Sequence, residues 1–235
     1  MTLDPFYLIV DSAEWIERLV PLGVKLVQLR IKDCPDSVLR EQIRRSKAAC
    51  AATACQLVVN DYWKLAIDEG CDFIHLGQED LMAADRNAIR RAGLKLGLST
   101  HDISELETAL AAEPDYVALG PVWPTILKQM KWAPQGVERL SDWRQRVGAI
   151  PLVAIGGITA ERAPLVWKKA PTVLPWSPIS PATRIPRSAR DSGWPRPRHG
   201  GPRKRYEGLI LPTARKPLML LWRSTAIKND PSYQD

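Results

Sequence analysis

The chain has 235 residues, 45% of them apolar and 25% charged, and carries a formal net charge of +7. That length suits one sizeable α/β domain, and no run of about 18 apolar residues is present to suggest a membrane span. Met1 to Asp11 lack the basic-then-apolar pattern of a secretory leader. The four cysteines (Cys34, Cys50, Cys55, Cys71) have no Cys-x-x-Cys spacing, which favours plain thiols in a reducing cytoplasm over a metal or disulfide framework.

In chain order, short β-branched or apolar runs alternate with helical patterns. The strands expected are Tyr7–Val10, Leu26–Arg30, Gln56–Asn60, Phe73–Leu76, Lys95–Ser99, Tyr116–Gly120 and Leu152–Ile155. Helices are expected near Ala13–Val20, Pro35–Ala54, Trp63–Glu69, Ala83–Ala92, Ser104–Ala112 and Leu140–Val147, with another starting at Ala160. Asp36 or Ser37 can cap the second helix and Asp102 or Ser104 the fifth. Gly23, Gly70 and Gly93 stand where a left-handed helix stop belongs.

Seven βα units in a row predict a parallel sheet with helices outside it. A doubly wound sheet would gather its site at one switch point. Here polar residues follow most of the strands: Arg30 and Lys32, Asn60 and Asp61, Gln78 to Asp80, Ser99 and His101, Thr125 and Lys128, then Gly156-Gly157. The expectation is therefore a (β/α)8 barrel, whose strand ends share one mouth.

Gln28, Arg30 and Lys32 alternate at period two and point to one side of an extended segment. On the inner side they suit a phosphate or diphosphate; on the outer side they would be a solvated edge, with Val27, Leu29 and Ile31 facing in. Asp61 and Asp80 follow adjacent strands and, beside cations, suit Mg2+ on a diphosphate. Each alone reads more simply as a helix cap. The loop from Pro121 to Lys128 and the Gly156-Gly157 pair allow a further phosphate site. His75, inside a strand, reads as a packed core residue, and His101 has no assigned role.

At these residues the sequence resembles the thiamine phosphate synthase family. The matching stretches are Gln28-Leu29-Arg30-Ile31-Lys32, Val59-Asn60-Asp61-Tyr62, His75-Leu76-Gly77-Gln78-Glu79-Asp80, Gly97 to His101, Leu119 to Thr125, Gln135-Gly136 and Ala154-Ile155-Gly156-Gly157-Ile158. The resemblance implies joining of hydroxymethylpyrimidine diphosphate to thiazole phosphate, giving thiamine phosphate and diphosphate with no protein nucleophile. It implies that Gln28, Leu29, Arg30, Ile31 and Lys32 bind the pyrimidine diphosphate, and that Asn60 meets the pyrimidine. Ser99 and Lys128 would also contact that substrate, Asp61 and Asp80 would hold Mg2+, and Thr125, Ile126, Leu127 and Gly157 would line the thiazole phosphate site. Leu127 departs from the usual Thr or Ser. A thiazole tautomerase is the alternative enzyme, disfavoured because Arg30, Lys32, Asp61, Asp80 and Lys128 are all kept. The non-enzymatic alternative is a truncated barrel that binds phosphates or polyanions without turnover.

The chain changes character after Val166. From Trp167 onward there are 14 Lys and Arg against 4 Asp and Glu, a balance of +10, whereas residues 1–166 sum to −3. Prolines at 171, 175, 178, 181 and 186 argue against a central strand. The expected division is thus a barrel domain over 1–166, lacking a sound eighth unit and the family's Val-Ser pair there, and a basic Pro/Arg-rich disordered tail over 167–235. Codons able to encode Ala170 to Thr183, read one base earlier, spell G-A-D-S-V-A-V-V-T-D-I-T-R-N, which resembles the family's eighth strand and following loop. A frameshift near 167–170 is the expectation. Nucleic-acid binding by Arg184 to Arg205 is the weaker reading of the same charge, and a barrel missing one unit would leave strands one and seven with open edges. Oligomeric state has no signature in the sequence.

Overall fold

The computed structural model describes residues 2–124, 132–159, 161–170 and 173–176. Its core is a parallel α/β fold. The strands are β1 (Phe6–Val10), β2 (Leu26–Leu29), β3 (Gln56–Asn60), β4 (Phe73–Leu76), β5 (Lys95–Thr100), β6 (Tyr116–Leu119) and β7 (Leu152–Ala154), hydrogen-bonded in sequence order. Every neighbouring pair is parallel, with registers such as Val10 beside Leu29 and His75 beside Gly97. Such a sheet must cover both faces. The outer face packs beneath the helices in two apolar shells, one holding Val27, Leu29, Val59 and Ile43, the other Val117, Leu119, Trp143 and Val166. The inner face is a separate cluster of Tyr7, Leu26, Val58, Phe73, Tyr116, Ala118 and Val153.

The helices are α1 (Ala13–Leu19), α2 (Asp36–Ala51), α3 (Trp63–Asp68), α4 (Gln78–Ala83), α5 (Arg86–Arg91), α6 (Ile103–Ala111), α7 (Glu138–Val147) and α8 (Ala163–Lys169). The single helix expected over Ala83–Ala92 is two short ones, because Ala84 is extended and the Asp85 carboxylate caps a fresh start at Ala88 N–H. Asp36 does not cap α2; Pro35 holds that position and Asp36 lies in the first turn, where its charge suits the helix dipole. Asp102 caps α6 as expected, accepting from Glu105 N–H at 2.9 Å. Gly23, Gly70 and Gly93 all have positive φ.

The end of the sheet differs from the expectation. The proline-rich stretch was to supply no strand, leaving β1 and β7 open. Instead α8 continues to Lys169, Val173 bridges to Val153, and a three-residue strand β8 (Leu174–Trp176) pairs in parallel with β1. Alternation explains how a proline is tolerated there. Val173 N–H donates to Leu152 O at 2.9 Å and Leu174 N–H to Pro5 O at 3.0 Å. The nitrogen of residue 175 therefore faces β7, where the ladder has already ended at Val173, and its missing N–H breaks no bond. Val173 also joins the inner cluster. Among the described residues no helix is long and apolar enough to cross a membrane.

Candidate active site

The C-terminal ends of β2 to β5 meet at one mouth. Val27 and Leu29 lie in the shell under the helices, so the opposite face of β2 is the inner one. Gln28 is buried there, its Nε2 donating to Tyr7 Oη at 3.0 Å. Arg30 and Ile31 are half-buried beyond it and Lys32 is exposed. The solvated-edge reading of this triplet is thereby set aside for Gln28. Leu29 is buried on the helix side, so its side chain does not reach the mouth.

Asn60 ends β3 and is buried. Asp61 follows with φ 66°, a left-handed conformation uncommon for a residue with a side chain, and its N–H is held by His75 O at 2.9 Å. This sharp turn leaves the Asp61 carboxylate 3.5 Å from Lys32 Nζ. Burial, and then the charge of Asp80, raise the Asp61 carboxyl above its ordinary value against the pull of Lys32 and Arg30, and the two carboxyl groups are close enough to share a hydrogen bond. Gly77 makes room for this approach, since a Cβ there would lie 3.2 Å from Asp80 Oδ2. Neither aspartate is spent as a helix cap: Tyr62 precedes α3 without a side-chain cap, and Asp80 sits inside the first turn of α4. Two mutually repelling carboxylates, free of capping duty and beside Lys32 and Arg30, suit a divalent cation bridging to an anionic ligand. Among the described residues no cluster of three or more acidic, His or Cys side chains could hold a metal by itself.

Ser99 lies on β5. Its Oγ is 2.8 Å from His75 Nε2, and its carbonyl accepts from Gln78 Nε2 at 2.6 Å. His75 is buried as expected, but it is also a link: its Nδ1 is 2.7 Å from Tyr116 Oη, itself 3.0 Å from Tyr7 Oη. Burial, aided by the charge of Arg30, pushes the imidazole down to about 3. An unfolded chain takes up that proton nearer pH 6.5, so the unfolded state binds more protons between roughly pH 6.5 and 3 and stability falls as pH drops through that window. From about pH 7.5 to 5 this one ring costs about 2 kcal/mol. Urea midpoints at the two pH values should show that loss in the unaltered chain and a smaller one in His75→Gln; equal losses would remove His75 as the cause.

His101, without a role in the sequence, has its Nδ1 2.6 Å from Glu105 Oε2 and its ring stacked on Trp132 at 4.0 Å. Thr125, Ile126, Leu127 and Lys128 lie outside the described residues. On their near side, Gly157 (φ 66°) faces Trp123 and Pro124, and a Cβ there would come within 2.7 Å of Pro124 O. Arg162 donates to Gly157 O at 2.7 Å while lying 5.1 Å over the Trp123 ring. Sequence reasoning missed Tyr7 and Tyr116. Alternation places both on the inner face of their strands, yet nothing local separates a hydrogen-bonded core tyrosine from an apolar filler.

Residues 6–172 match the family model described as thiamine monophosphate synthase. The chain belongs to that family. It is 87% identical to the thiamine-phosphate synthase of Rhizobium etli over 166 residues, 71% of this chain and 81% of the relative. It is 52% identical to that of Cronobacter sakazakii over 160 residues, 68% and 76% of the two chains. Among solved structures, the thiamine phosphate pyrophosphorylase of Pyrococcus furiosus superposes with a TM-score of 0.65 at 26% identity, covering 73% of this chain and 84% of that one. Membership in the family makes the mouth of the sheet, where the resembling stretches converge, the place to look for its chemistry.

Proposed function

We propose that this chain is a transferase that condenses hydroxymethylpyrimidine diphosphate with thiazole phosphate, giving thiamine phosphate and diphosphate in the cytoplasm. The observation that carries the reading is the pair Asp61 and Asp80, free of capping duty and set beside Arg30 and Lys32 in a chain of this family. Asp61 and Asp80 hold Mg2+, which supplies positive charge to the departing diphosphate when bound. Arg30 and Lys32 bind the same group, and Lys128 completes that contact. Gln28, Asn60 and Ser99 orient the pyrimidine. Thr125 to Leu127, with Gly157, hold the thiazole phosphate. The C–O bond breaks with its electrons leaving on diphosphate, and the thiazole nitrogen lone pair forms the new C–N bond to the methylene carbon. No side chain needs to become covalently attached; the work is positioning and charge.

The fold that serves this reading is a (β/α)8 barrel whose eighth unit is a remnant, with the enzyme domain over 1–166 and an out-of-frame tail over 167–235. Two observations support it. The Rhizobium match spans 166 residues and stops well short of the 235-residue chain. β8 lies at Leu174–Trp176, the positions where the alternative frame reads Val-Ala-Val. The remnant keeps the strand's place but not the residues that follow it, so activity is impaired in the chain as it stands.

The test is thiamine phosphate formation by the full chain with both substrates and Mg2+, beside a frame-corrected version. The corrected chain should turn over at least ~100-fold faster, the scale of a misplaced binding loop. Equal rates would discard the remnant reading. Two folded chains without turnover would discard the synthase reading.

A further inference from the structure

A line of five side chains crosses the interior of the sheet to the mouth: Gln28, Tyr7, Tyr116, His75 and Ser99, linked at 3.0, 3.0, 2.7 and 2.8 Å. The first four are buried and Ser99 is half-buried at the open end. With the Gln28 amide nitrogen turned to Tyr7, the direction of each hydrogen follows. The amide nitrogen of Gln28 only donates, so Tyr7 Oη accepts from it. The polar contacts of the Tyr7 hydroxyl among the described residues are Gln28 and Tyr116, so its single hydrogen goes to Tyr116 Oη. Tyr116 then has its own hydrogen for His75 Nδ1. The planes of the two rings lie 12° apart, with centroids at 5.5 Å. A ring that accepts at Nδ1 carries its proton on Nε2, which donates to Ser99 Oγ. The Ser99 hydrogen is left for the mouth. The reverse order would make Tyr7 accept twice and strand its hydrogen in an apolar interior.

We infer that His75 is a positioning residue, held by Tyr116 in the Nε2–H tautomer so that the Ser99 hydroxyl hydrogen is left for the substrate. Resting on the proposed contact of Ser99 with the pyrimidine, this aims a hydrogen-bond donor at that ring. An aminopyrimidine offers lone pairs at its ring nitrogens and hydrogens at its amino group. A Ser99 hydroxyl whose hydrogen is free is placed to donate to one of those ring nitrogens.

The experiment is 15N NMR of the full chain labelled on histidine, with His75 assigned by His75→Gln among the three histidines. It is run beside calorimetric binding of hydroxymethylpyrimidine diphosphate and of inorganic diphosphate with Mg2+. The unaltered chain should show the Nε2–H tautomer. Tyr116→Phe, which removes the hydrogen aimed at Nδ1, should lose that tautomer and weaken the pyrimidine diphosphate about tenfold, leaving inorganic diphosphate within twofold. An Nδ1–H ring in the unaltered chain overturns the inference, and so does an equal loss for both ligands. If neither the unaltered nor the frame-corrected chain binds either ligand, the proposed function fails, while the tautomer signal still decides the polarity of the line.

Discussion

Asp61→Asn in the frame-corrected chain should lower kcat/KM for thiamine phosphate formation about a thousandfold, the scale of losing a positive charge that Mg2+ would place on the departing diphosphate. The same substitution should raise the melting temperature of the metal-free protein. Burial and the charge of Asp80 both oppose ionisation of the Asp61 carboxyl, so a neutral amide relieves a penalty that the folded state carries at neutral pH. The sign is worked from the raised value: the penalty is absent when both folded and unfolded carboxyls are protonated, and it is fully present above the folded value. Activity and stability therefore move in opposite directions, as they do where a site is kept for chemistry at the cost of the fold. A variant that melts lower and keeps its turnover would make Asp61 a structural partner of Lys32 and remove the proposed metal site.

The two aspartates also measure what the sequence could say. The positions of β1 to β7 were legible because each strand is a short, mostly apolar run ended by a polar residue or a glycine-containing turn, and the sheet buries both faces. The mouth was legible for the same reason, since strand ends carry the polar residues. The choice between cap and site was not. A carboxylate two residues before a helix reads as a cap, and only the φ of 66° at Asp61 and the start of α4 ahead of Asp80 take both away from that duty. The inner face was half legible: Gln28 could point either way, and packing of Val27 and Leu29 under the helices decided it. At β8 a sound rule about proline met its exception, because the rule concerns the N–H that a ladder needs. Here the ladder to β7 ends at Val173, two residues before the proline. Which neighbour an N–H faces depends on register, and register is not written locally.

Gly97→Ala should cost about 3 kcal/mol or more, the upper end for overpacking a core, and lower the melting temperature by ~9 °C. The reason is a ring that cannot retreat. A Cβ on Gly97 would lie 2.2 Å from both Cε1 and Cζ of Tyr116 and 2.6 Å from its Oη. Tyr116 is fully buried, packs edge-on against Phe73 at 5.6 Å, and is tied at its hydroxyl to Tyr7 and His75. The clash is with ring carbons as well as oxygen, so Tyr116→Phe does not relieve it. Tyr116→Leu removes those atoms, and in that background Gly97→Ala should cost less than half as much, a coupling that a double-mutant cycle reads directly. Gly93→Ala is the control: its φ of 71° strains any side chain but nothing lies within 4 Å, so its cost is backbone alone, ~1 kcal/mol. Should Gly97→Ala melt with the unaltered protein, Tyr116 does not lie across β5. The line from Gln28 to Ser99 would then lose its central link, for the same close approach that forbids a methyl group at Gly97 carries the hydroxyl to His75.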